Sequence, residues 1–330
     1  MKILITGGCG FIGHHVVEHF LKNTKWEIVI FDKLTYAASG FDRVRDIKAF
    51  DDKRVSFFTT DLTRPITPGV IQETKDVDYI LHLAAETHVD NSIDDPEPFV
   101  MSNVVGTMHM LNYAKELEDL RGFNYFSTDE VFGPAPKGVD YKEWDRYNST
   151  NPYAATKAGG EELALAYSNT YRIPVFITHG MNCFGERQHP EKFIPKVIRK
   201  ILNGEVVTIH SDATKTIPGS RFYIHCRNVA HALHFLLDRF QFREKYNIVG
   251  EKEVTNLKLA LLIADILEKP LEYELVDFHS SRPGHDLRYA LDGSKMESMG
   301  WNLPVDFERS LERTVKWYFK AKENKKWLYL

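Results

Sequence analysis

The chain has 330 residues, with 42 Lys and Arg against 46 Asp and Glu, so its formal net charge is −4. This length suits one large α/β domain with a smaller lobe, and the slightly acidic balance gives no reason to expect a nucleic-acid partner. No apolar run reaches membrane-spanning length, and the N-terminus enters an apolar strand without a charged leader. Three dispersed cysteines, Cys9, Cys183 and Cys226, argue against a disulfide framework, and we expect a cytoplasmic protein without a membrane partner.

The first predicted element is a short apolar strand, Lys2 to Thr6, followed by a glycine-rich turn and an amphipathic helix that runs to about Asn23. The glycines of the turn have GxxGxxG spacing. Such a turn is tight, lets the backbone approach a pyrophosphate and points the N-terminus of the helix at its charge. The residues of the turn predicted to bind a dinucleotide cofactor are Gly7, Gly10, Phe11, Ile12 and Gly13.

The second predicted strand, Trp26 to Phe31, ends at Asp32. A carboxylate about twenty residues after the glycine turn accepts hydrogen bonds from an adenosine ribose. The same carboxylate repels a 2′-phosphate, so Asp32 favours NAD over NADP. Lys33 beside it is a further predicted cofactor contact and leaves the phosphorylated cofactor open as an alternative.

Further along the chain, apolar runs alternate with helical stretches. This alternation predicts a Rossmann-like, doubly wound parallel sheet, in which ligands bind outside the carboxyl ends of the strands. We predict an NAD-binding Rossmann domain over residues 1–180, together with part of 222–250, and a smaller α/β substrate-binding lobe mainly over 181–330. The predicted buried strands are Val55 to Asp61, Tyr79 to Ala85, Phe123 to Thr128 and Val175 to Gly180, and the predicted helices lie near Pro98 to Leu120 and Pro152 to Tyr171.

Residues at the ends of two of these strands, together with Tyr153 and Lys157, complete the predicted cofactor site. Asp61, beside Leu62, is placed either to touch the edge of the adenine ring or to cap the next turn, and the sequence leaves both open. Ala84 and Ala85 end the next strand and line the same edge of the sheet. The histidines of this stretch favour packing and hydrogen bonding over metal binding, so no metal site is predicted.

The candidate catalytic residues form a triplet and a pair. Thr128, Asp129 and Glu130 end an apolar strand, where two adjacent carboxyl groups offer an acid and a base from one short segment. Tyr153 and Lys157 are four residues apart and share a helix face, so we expect the ammonium group to lower the pKa of the phenol. Because Tyr-x-x-x-Lys alone is usually a solvated helix face, its significance depends on the glycine turn and the carboxyl pair.

These motifs carry a resemblance that extends over most of the chain. The glycine turn and the Tyr153/Lys157 pair mark the extended short-chain dehydrogenases/reductases. The run Ser-Thr-Asp-Glu-Val-Phe-Gly from Ser127 more specifically resembles the dTDP-glucose 4,6-dehydratases and related nucleotide-sugar 4,6-dehydratases. Further similar segments are Asp-Lys-Leu-Thr-Tyr-Ala from Asp32, His-Leu-Ala-Ala-Glu-Thr-His-Val-Asp from His82, Pro-Glu-Lys-Phe-Ile-Pro from Pro190 and Arg-Pro-Gly-His-Asp-Leu-Arg-Tyr from Arg282.

The resemblance implies a mechanism in which NAD takes a hydride from C4 of the sugar and returns it to C6, giving a 4-keto-6-deoxy product. Tyr153, held as a phenolate by Lys157 and bridged to the substrate by Thr128, takes the proton of the 4-hydroxyl. Glu130 removes the proton on C5, and Asp129 protonates the departing 6-hydroxyl. Such an order of events requires the two carboxyl groups to be in different protonation states.

The resemblance also implies contacts with a nucleotide-sugar substrate, mostly in the second lobe, where a Lys near a helix start suits a diphosphate. The chain departs from the family at Cys183 and Phe184, where Asn and Tyr are usual, and after Arg221, where Phe222-Tyr223 replaces Asp-Trp. These departures lie near the expected nucleotide and sugar contacts, so the reaction type is better supported than the substrate. The implied substrate contacts are Glu86, His88, Thr128, Asn182, Glu191, Lys192, Arg221, Arg282, His285 and Arg288.

Other functions stay open at this point. A nucleotide-sugar 4-epimerase or decarboxylase would use Tyr153 and NAD without the carboxyl pair, and a 5,6-dehydratase would omit the hydride return. A non-catalytic NAD-binding scaffold protein would not need the intact catalytic set. The nucleotide, whether dTDP, UDP or another, and an N-acetyl group at C2 are also open. Helices around residues 99–117 and 155–171 resemble the dimer helices of the family and predict a homodimer.

Overall fold

A seven-stranded parallel sheet forms the centre of the fold. The structure is a computed structural model that describes residues 1–277, 287–320 and 322–329. No helix in these ranges is long and apolar enough to cross a membrane. The strands are β1 (Lys2–Thr6), β2 (Glu27–Asp32), β3 (Val55–Thr59), β4 (Tyr79–His82), β5 (Gly122–Thr128), β6 (Val175–Gly180), β7 (Cys183–Phe184), β8 (Val207–Ser211), β9 (Ser220–Phe222), β10 (Ile224–His225), β11 (Lys245–Ile248), β12 (Glu253–Thr255) and β13 (Tyr273–Asp277).

The order of the strands in the sheet is β11-β6-β5-β4-β1-β2-β3, and all pairs are parallel. The chain builds outward from β1 in one direction through β2 and β3 and then in the other through β4, β5 and β6. The direction of winding therefore switches between β1 and β4, where Thr6 lies opposite His82. Doubly wound sheets bind their ligands at such a switch point. The predicted Rossmann-like fold class is confirmed.

Helices cover both faces of the sheet, because alternate residues of each strand point to opposite sides. On one face, Ile3 and Ile5 of β1 share a hydrophobic cluster with Leu233. On the other face, Leu4 shares a second cluster with Met110. The helices are α1 (Phe11–Asn23), α2 (Asp42–Asp46), α3 (Pro68–Glu73), α4 (Val89–Asp94), α5 (Glu97–Phe99), α6 (Gly106–Lys115), α7 (Pro152–Tyr171), α8 (Phe193–Asn203), α9 (Cys226–Leu237), α10 (Asn256–Ile266), α11 (Ser294–Ser298) and α12 (Phe307–Lys320), with short 3₁₀ turns at Tyr36–Ala38, Asp129–Phe132 and Lys322–Leu328.

A smaller group of elements, which follows β6, packs beside the sheet. Its strands pair as β8 with β13, β9 with β12 and β7 with β10. Its core joins α8, α10 and α12 through one hydrophobic cluster that includes Val197, Ile263 and Val315. The chain also passes back into the large sheet, because β11 pairs with β6 and places Tyr246 opposite Thr178.

Two predicted strands end earlier than expected, and one predicted helix is interrupted. Strand β4 ends at His82 because the N–H of Ala84 leaves the ladder and donates to Thr6 Oγ1 at 3.0 Å. Strand β3 ends at Thr59, before Asp61. The helix predicted near Pro98 to Leu120 contains a π-helical segment between α5 and α6, at Val100–Val105. This segment carries Asn103, whose side chain accepts from the N–H and donates to the carbonyl of Glu86.

Candidate active site

The glycine turn after β1 is closed too tightly to admit side chains. Gly7 has a φ of +68°, a conformation that favours glycine, and its carbonyl accepts from the N–H of Gly10 at 2.9 Å. A Cβ on Gly13 would lie 2.1 Å from Gly7 O, and one on Gly7 would lie 3.0 Å from the backbone of Ala84. The backbone at the start of α1 is therefore bare, as an approaching pyrophosphate requires.

Asp32 lies across from this turn at the carboxyl end of β2. Its Oδ2 accepts from the N–H of Cys9 at 3.0 Å, and its Oδ1 accepts from the N–H of Leu34 at 2.8 Å. Burial raises the pKa of the carboxyl, while these two N–H groups and the Arg43 guanidinium partly offset the effect. The carboxylate is thus held in one orientation beside the glycine turn.

One cleft, which we call the nucleotide cleft, runs along the carboxyl ends of β1, β2 and β4. Asp61 lies in the wall of this cleft. Its Oδ1 accepts hydrogen bonds from the N–H and the hydroxyl of Thr63, so Asp61 caps the local turn, which is one of its two predicted roles. Sequence reasoning missed several wall residues, among them Tyr36, Arg43 and Gln188, because they come from loops and a short helix without a motif. The predicted cofactor residues in the wall are Gly7, Gly10, Phe11, Ile12, Gly13, Asp32, Lys33, Asp61, Leu62, Ala84 and Ala85.

A second cleft, which we call the carboxylate cleft, adjoins the first and contains the five candidate catalytic residues. The two clefts share part of their walls and so form one continuous site that is able to hold a dinucleotide next to a second ligand. The catalytic candidates in the carboxylate cleft are Thr128, Asp129, Glu130, Tyr153 and Lys157. The residues common to both clefts are Phe11, Ile12, Leu83, Ala85, Thr87, Gln188 and Lys192.

The two carboxyl groups of the triplet are held by different neighbours. Thr128 ends β5 and caps the 3₁₀ turn, accepting from the N–H of Glu130 at 3.4 Å and donating to Asp129 Oδ1 at 3.1 Å. Glu130 Oε2 accepts from Asn151 Nδ2 at 3.1 Å. Asn151 also caps α7, since its Oδ1 accepts from the N–H of Ala154 at 2.8 Å. Sequence reasoning missed Asn151, although the Asn-Pro pair before Tyr153 is a helix-start signal that points to it.

Asp129 has the electrostatic environment of a proton donor. Burial and the neighbouring Glu130 raise its pKa to about 7, against the opposing charge of Arg221. Its Oδ2 is buried and has no hydrogen-bond partner among the described residues. A carboxyl group in such surroundings carries its proton for a large part of the time at neutral pH.

Tyr153 and Lys157 share one face of α7, but their pKa values differ from the expectation. Burial and then Glu130 raise the pKa of Tyr153, and a side-chain hydrogen bond with Thr128 opposes them only in part. Lys157 Nζ donates to the carbonyl of Phe126 at 2.7 Å, and burial lowers its pKa to about 7. The expected lowering of the Tyr153 pKa is therefore not found in the chain alone, because burial and the charge of Glu130 dominate it.

A buried ionic cluster lies behind the catalytic residues and was also missed. Glu161, one helical turn beyond Lys157, accepts from Ser127 Oγ at 2.5 Å and from the hydroxyl of Tyr147. His179 Nε2 and Lys245 Nζ lie 3.3 and 3.4 Å from its Oε2. Burial alone would raise the pKa of Glu161, but His179, Lys245 and Ser127 together lower it to about 2. Ser127 directly precedes the catalytic triplet, so this cluster anchors the end of β5.

The residues implied as substrate contacts are distributed unevenly. Asn182 lines the carboxylate cleft, Lys192 lines both clefts, and Glu86 and Glu191 line the nucleotide cleft. His88 Nε2 lies 3.8 Å from Glu191 Oε2. Together these contacts bring the loop after β4 and the segment before α8 to the same mouth of the site.

The two implied arginines in the described part of the second lobe lie in other surroundings. The Arg221 guanidinium donates to the carbonyls of Ser220 and Leu287 and acts on the charge of Asp129. Arg288 pairs with Glu253 and Asp140. Neither arginine is part of the wall of the two clefts as formed by the described residues. Arg282 and His285 lie outside the described residues. No group of three or more His, Cys, Asp or Glu able to hold a metal occurs within the ranges that the structure describes.

Comparisons with known proteins agree with this arrangement. The GDP-mannose 4,6 dehydratase family profile matches residues 4–314. The dTDP-glucose 4,6-dehydratase of Salmonella typhimurium is 37% identical, with 96% of this chain and 92% of that protein covered. The crystal structure of the dTDP-glucose 4,6-dehydratase DesIV from Streptomyces venezuelae, with NAD bound, superposes with a TM-score of 0.87 at 34% identity and covers 100% of this chain and 99% of that one.

A neighbouring branch of the same fold is less similar in sequence. The UDP-glucuronic acid 4-epimerase of Bacillus cereus, solved with its substrate and NAD, gives a TM-score of 0.85 at 26% identity and covers 96% of this chain and 98% of that one. The resemblance seen in the sequence is confirmed, and the chain belongs to the GDP-mannose 4,6 dehydratase family, as an extended short-chain dehydrogenase/reductase of the nucleotide-sugar 4,6-dehydratase type.

Proposed function

We propose that this protein is an NAD-dependent nucleotide-sugar 4,6-dehydratase, a hydro-lyase that converts an NDP-hexose to the 4-keto-6-deoxy sugar. The observation that carries the proposal is the pair Asp129 and Glu130 in the same cleft as Tyr153 and Lys157, with the pKa of Asp129 raised to about 7. Removal of water across C5 and C6 needs an acid and a base that differ in protonation state at one pH. dTDP-glucose is the first substrate to test, because relatives at 34–37% identity carry that name.

The nucleotide cleft fits NAD. The bare backbone at Gly7, Gly10 and Gly13 receives the pyrophosphate at the start of α1, where the N-terminus of the helix favours an anion. Asp32 accepts hydrogen bonds from the adenosine ribose and disfavours a 2′-phosphate. Lys33, Asp61, Leu62, Ala84 and Ala85 complete the contacts. When bound, NAD supplies a hydride acceptor for C4, a hydride donor for C6 and a positively charged nicotinamide ring.

The chain's own residues move the protons of the reaction. Tyr153, hydrogen-bonded with Thr128, takes the proton of the sugar 4-hydroxyl, and Lys157 supplies positive charge on the same helix face. The resulting 4-ketone acidifies the proton on C5, which Glu130 removes. Asp129 gives its proton to the 6-hydroxyl, so that water departs, and a proton then returns to C5 to complete the 4-keto-6-deoxy sugar. The burial that makes the Asp129 carboxyl hold its proton also keeps water away from the reacting carbons.

The second lobe binds the rest of the substrate. Asn182 and Lys192 lie in the cleft wall, where Lys192 offers charge to the diphosphate, and Glu86, His88 and Glu191 contribute at the shared mouth. Arg221, Arg288, Arg282 and His285 remain proposed contacts of the nucleotide on the strength of the family resemblance.

A nucleotide-sugar 4-epimerase is the second candidate function, favoured by the fold shared with the Bacillus cereus enzyme. An epimerase needs Tyr153 and NAD but no acid–base pair for elimination. Asp129 and Glu130 would then have no task, although the structure holds Asp129 in a buried site at a cost in stability. This cost favours the dehydratase.

The assembly and the domain division are also proposals. We infer a homodimer through the helices around residues 99–117 and 155–171, a cytoplasmic location, and a division into residues 1–180 with part of 222–250 and a lobe mainly over 181–330. Sedimentation at micromolar concentration tests the first of these, and a monomer would refute it.

The proposed activity is tested by mass spectrometry of products formed separately from dTDP-glucose, UDP-glucose, UDP-N-acetylglucosamine and GDP-mannose with NAD present. Loss of one water from one substrate, with a new carbonyl and no net reduction of NAD, is expected. Deuterium at C4 of the substrate should appear at C6 of the product, whereas deuterium that stays on the cofactor and does not reach C6 would favour a 5,6-dehydratase. An unchanged mass with altered stereochemistry at C4 would replace the proposal with the epimerase.

A further inference from the structure

An arginine that no motif marks lies at the inner wall of the nucleotide cleft. Arg43 belongs to α2 and has no exposed surface, although Arg is among the residue types most seldom buried completely. It lines the cleft together with Asp32 and the glycine turn. A buried guanidinium is costly unless its N–H groups and its charge are matched by partners.

Two of the three guanidinium nitrogens have partners that join separate parts of the site. Arg43 Nη1 donates to the carbonyl of Ala37 at 2.7 Å, in the turn that follows β2. Its Nε donates to the carbonyl of Arg187 at 3.0 Å, in the segment that precedes α8. The Arg43 Cζ atom lies 4.9 Å from the centre of the Trp327 ring. Arg43 therefore ties the cofactor side of the site to the second lobe and to the C-terminal segment.

The third nitrogen is different. Arg43 Nη2 is buried and has no hydrogen-bond acceptor among the residues that the structure describes. The charge is balanced only in part, since Asp32 lies close enough to act on it but gives both carboxylate oxygens to backbone N–H groups. Burial lowers the pKa of Arg43 to about 10, which leaves it protonated at neutral pH. A charged donor without an acceptor at the wall of a cleft is a candidate to donate to an oxygen of a bound ligand.

We propose that Arg43 is a cofactor-binding residue, whose Nη2 donates to an oxygen on the adenosine half of the bound dinucleotide. The proposal rests on the use of NAD argued above. The ligand oxygen belongs to the adenosine half because Arg43 shares the wall with Asp32 and with the turn at Ala37, both at the end of β2. The other partners of Arg43 hold the guanidinium at the wall of the cleft, and because Nη2 has no exposed surface, the neighbouring wall must shift slightly to admit the ligand oxygen.

The test measures binding of NAD to protein freed of nucleotide, by calorimetry, for the natural chain and the Arg43→Lys and Arg43→Gln variants. A hydrogen bond from a charged donor accounts for about a tenfold to hundredfold change in the dissociation constant, and we expect weakening in that range. Titration with adenosine, AMP and ADP locates the ligand oxygen. If the Arg43 variants bind adenosine as well as the natural chain does, the oxygen belongs to a phosphate. If they bind adenosine more weakly, the oxygen belongs to the ribose. Binding of nicotinamide mononucleotide should not change.

Two control variants separate binding from folding. Arg54→Gln removes an arginine that likewise donates to two backbone carbonyls, those of Leu21 and Thr24, but lies outside both clefts. Trp327→Phe removes the hydrogen bond from Nε1 to Asp46 and keeps a ring against Arg43. Both controls should lower the melting temperature without changing the dissociation constant for NAD.

The outcomes that overturn the proposal are distinct from those that overturn the function. The assignment of Arg43 is refuted if the folded Arg43→Lys and Arg43→Gln variants bind NAD with an unchanged dissociation constant. It is also refuted if these variants bind only NADP more weakly. If the variants bind only nicotinamide mononucleotide more weakly, Arg43 does not contact the adenosine half of the cofactor. If the natural chain binds no NAD, the proposed cofactor itself is wrong.

Discussion

Replacement of Asp129 by Asn separates the role of its proton from the shape of its side chain. Asn keeps an oxygen that can accept from the Thr128 hydroxyl, which lies 3.1 Å from Asp129 Oδ1. It cannot deliver a proton to a leaving hydroxyl. General acid catalysis typically contributes about 100- to 10,000-fold in rate, so we expect Asp129→Asn to lower the rate of water loss by that factor. The dissociation constant for NAD should not change.

The same substitution should stabilise the protein at alkaline pH. Burial and Glu130 move the pKa of Asp129 from 3.8 to about 7 in the folded chain, which corresponds to about 4 kcal/mol of unfolding free energy. Because the folded state holds a proton that the unfolded state releases, stability falls as the pH rises from 4 to 7 and the loss is complete above 7. Asp129→Asn removes this loss, so it should exceed the natural chain in stability at pH 8 by up to about 4 kcal/mol and match it near pH 4.

The assay combines denaturant unfolding at pH 4 and 8 with single-turnover measurement of water loss between pH 6 and 9. For the natural protein, the protonated fraction of Asp129 falls from about one half at pH 7 to about one tenth at pH 8, and the rate of water loss should follow it. A rate that stays constant over this range, together with equal stability of the two proteins at pH 8, would refute the assignment of Asp129 as the acid.

Three further substitutions test other parts of the site. Glu130→Gln should stop exchange of the C5 proton with deuterated solvent while reduced NAD still forms; exchange at the natural rate would remove Glu130 as the base. Tyr153→Phe should lower the rate of NAD reduction by about 100- to 10,000-fold in stopped-flow absorbance, and a rate within a factor of two of the natural one would contradict its role. Gly13→Ala should abolish NAD binding, measured by calorimetry, because its Cβ would lie 2.1 Å from Gly7 O, whereas Gly69→Ala, with open space around it, should bind normally.

Local patterns in the sequence predicted the parts of the site that one short segment forms by itself. The glycine turn, Asp32 and the Thr128 to Glu130 triplet each depend on a strand and the turn directly after it. The end of a parallel strand fixes where such residues lie, because all carboxyl ends meet at one edge of the sheet. The fold class and the family followed from the same patterns.

Residues whose role depends on distant partners were not visible in the sequence. Arg43 is charged and stands among surface-like residues, so its burial follows only from contacts with Arg187 and Trp327, far along the chain. The pKa of Tyr153 was expected from its neighbour on the helix, but burial, which the sequence does not display, dominates it. The end of β4 differs from the prediction for a similar reason, because the Thr6 hydroxyl accepts a hydrogen bond from the N–H of Ala84 and so ends the strand.

The ionic cluster around Glu161 makes the two halves of the chain depend on each other. Its carboxylate comes from α7, but the ammonium group that pairs with it comes from Lys245 in β11, which follows α8 and α9 along the chain. A nascent or truncated chain that ends near residue 180 therefore lacks the ammonium group that balances this carboxylate. Isolated buried charges are among the most costly features of a protein interior. Because Ser127 ties the catalytic end of β5 to Glu161, we expect this end of the strand to gain its full set of contacts only after β11 has been made and has paired with β6.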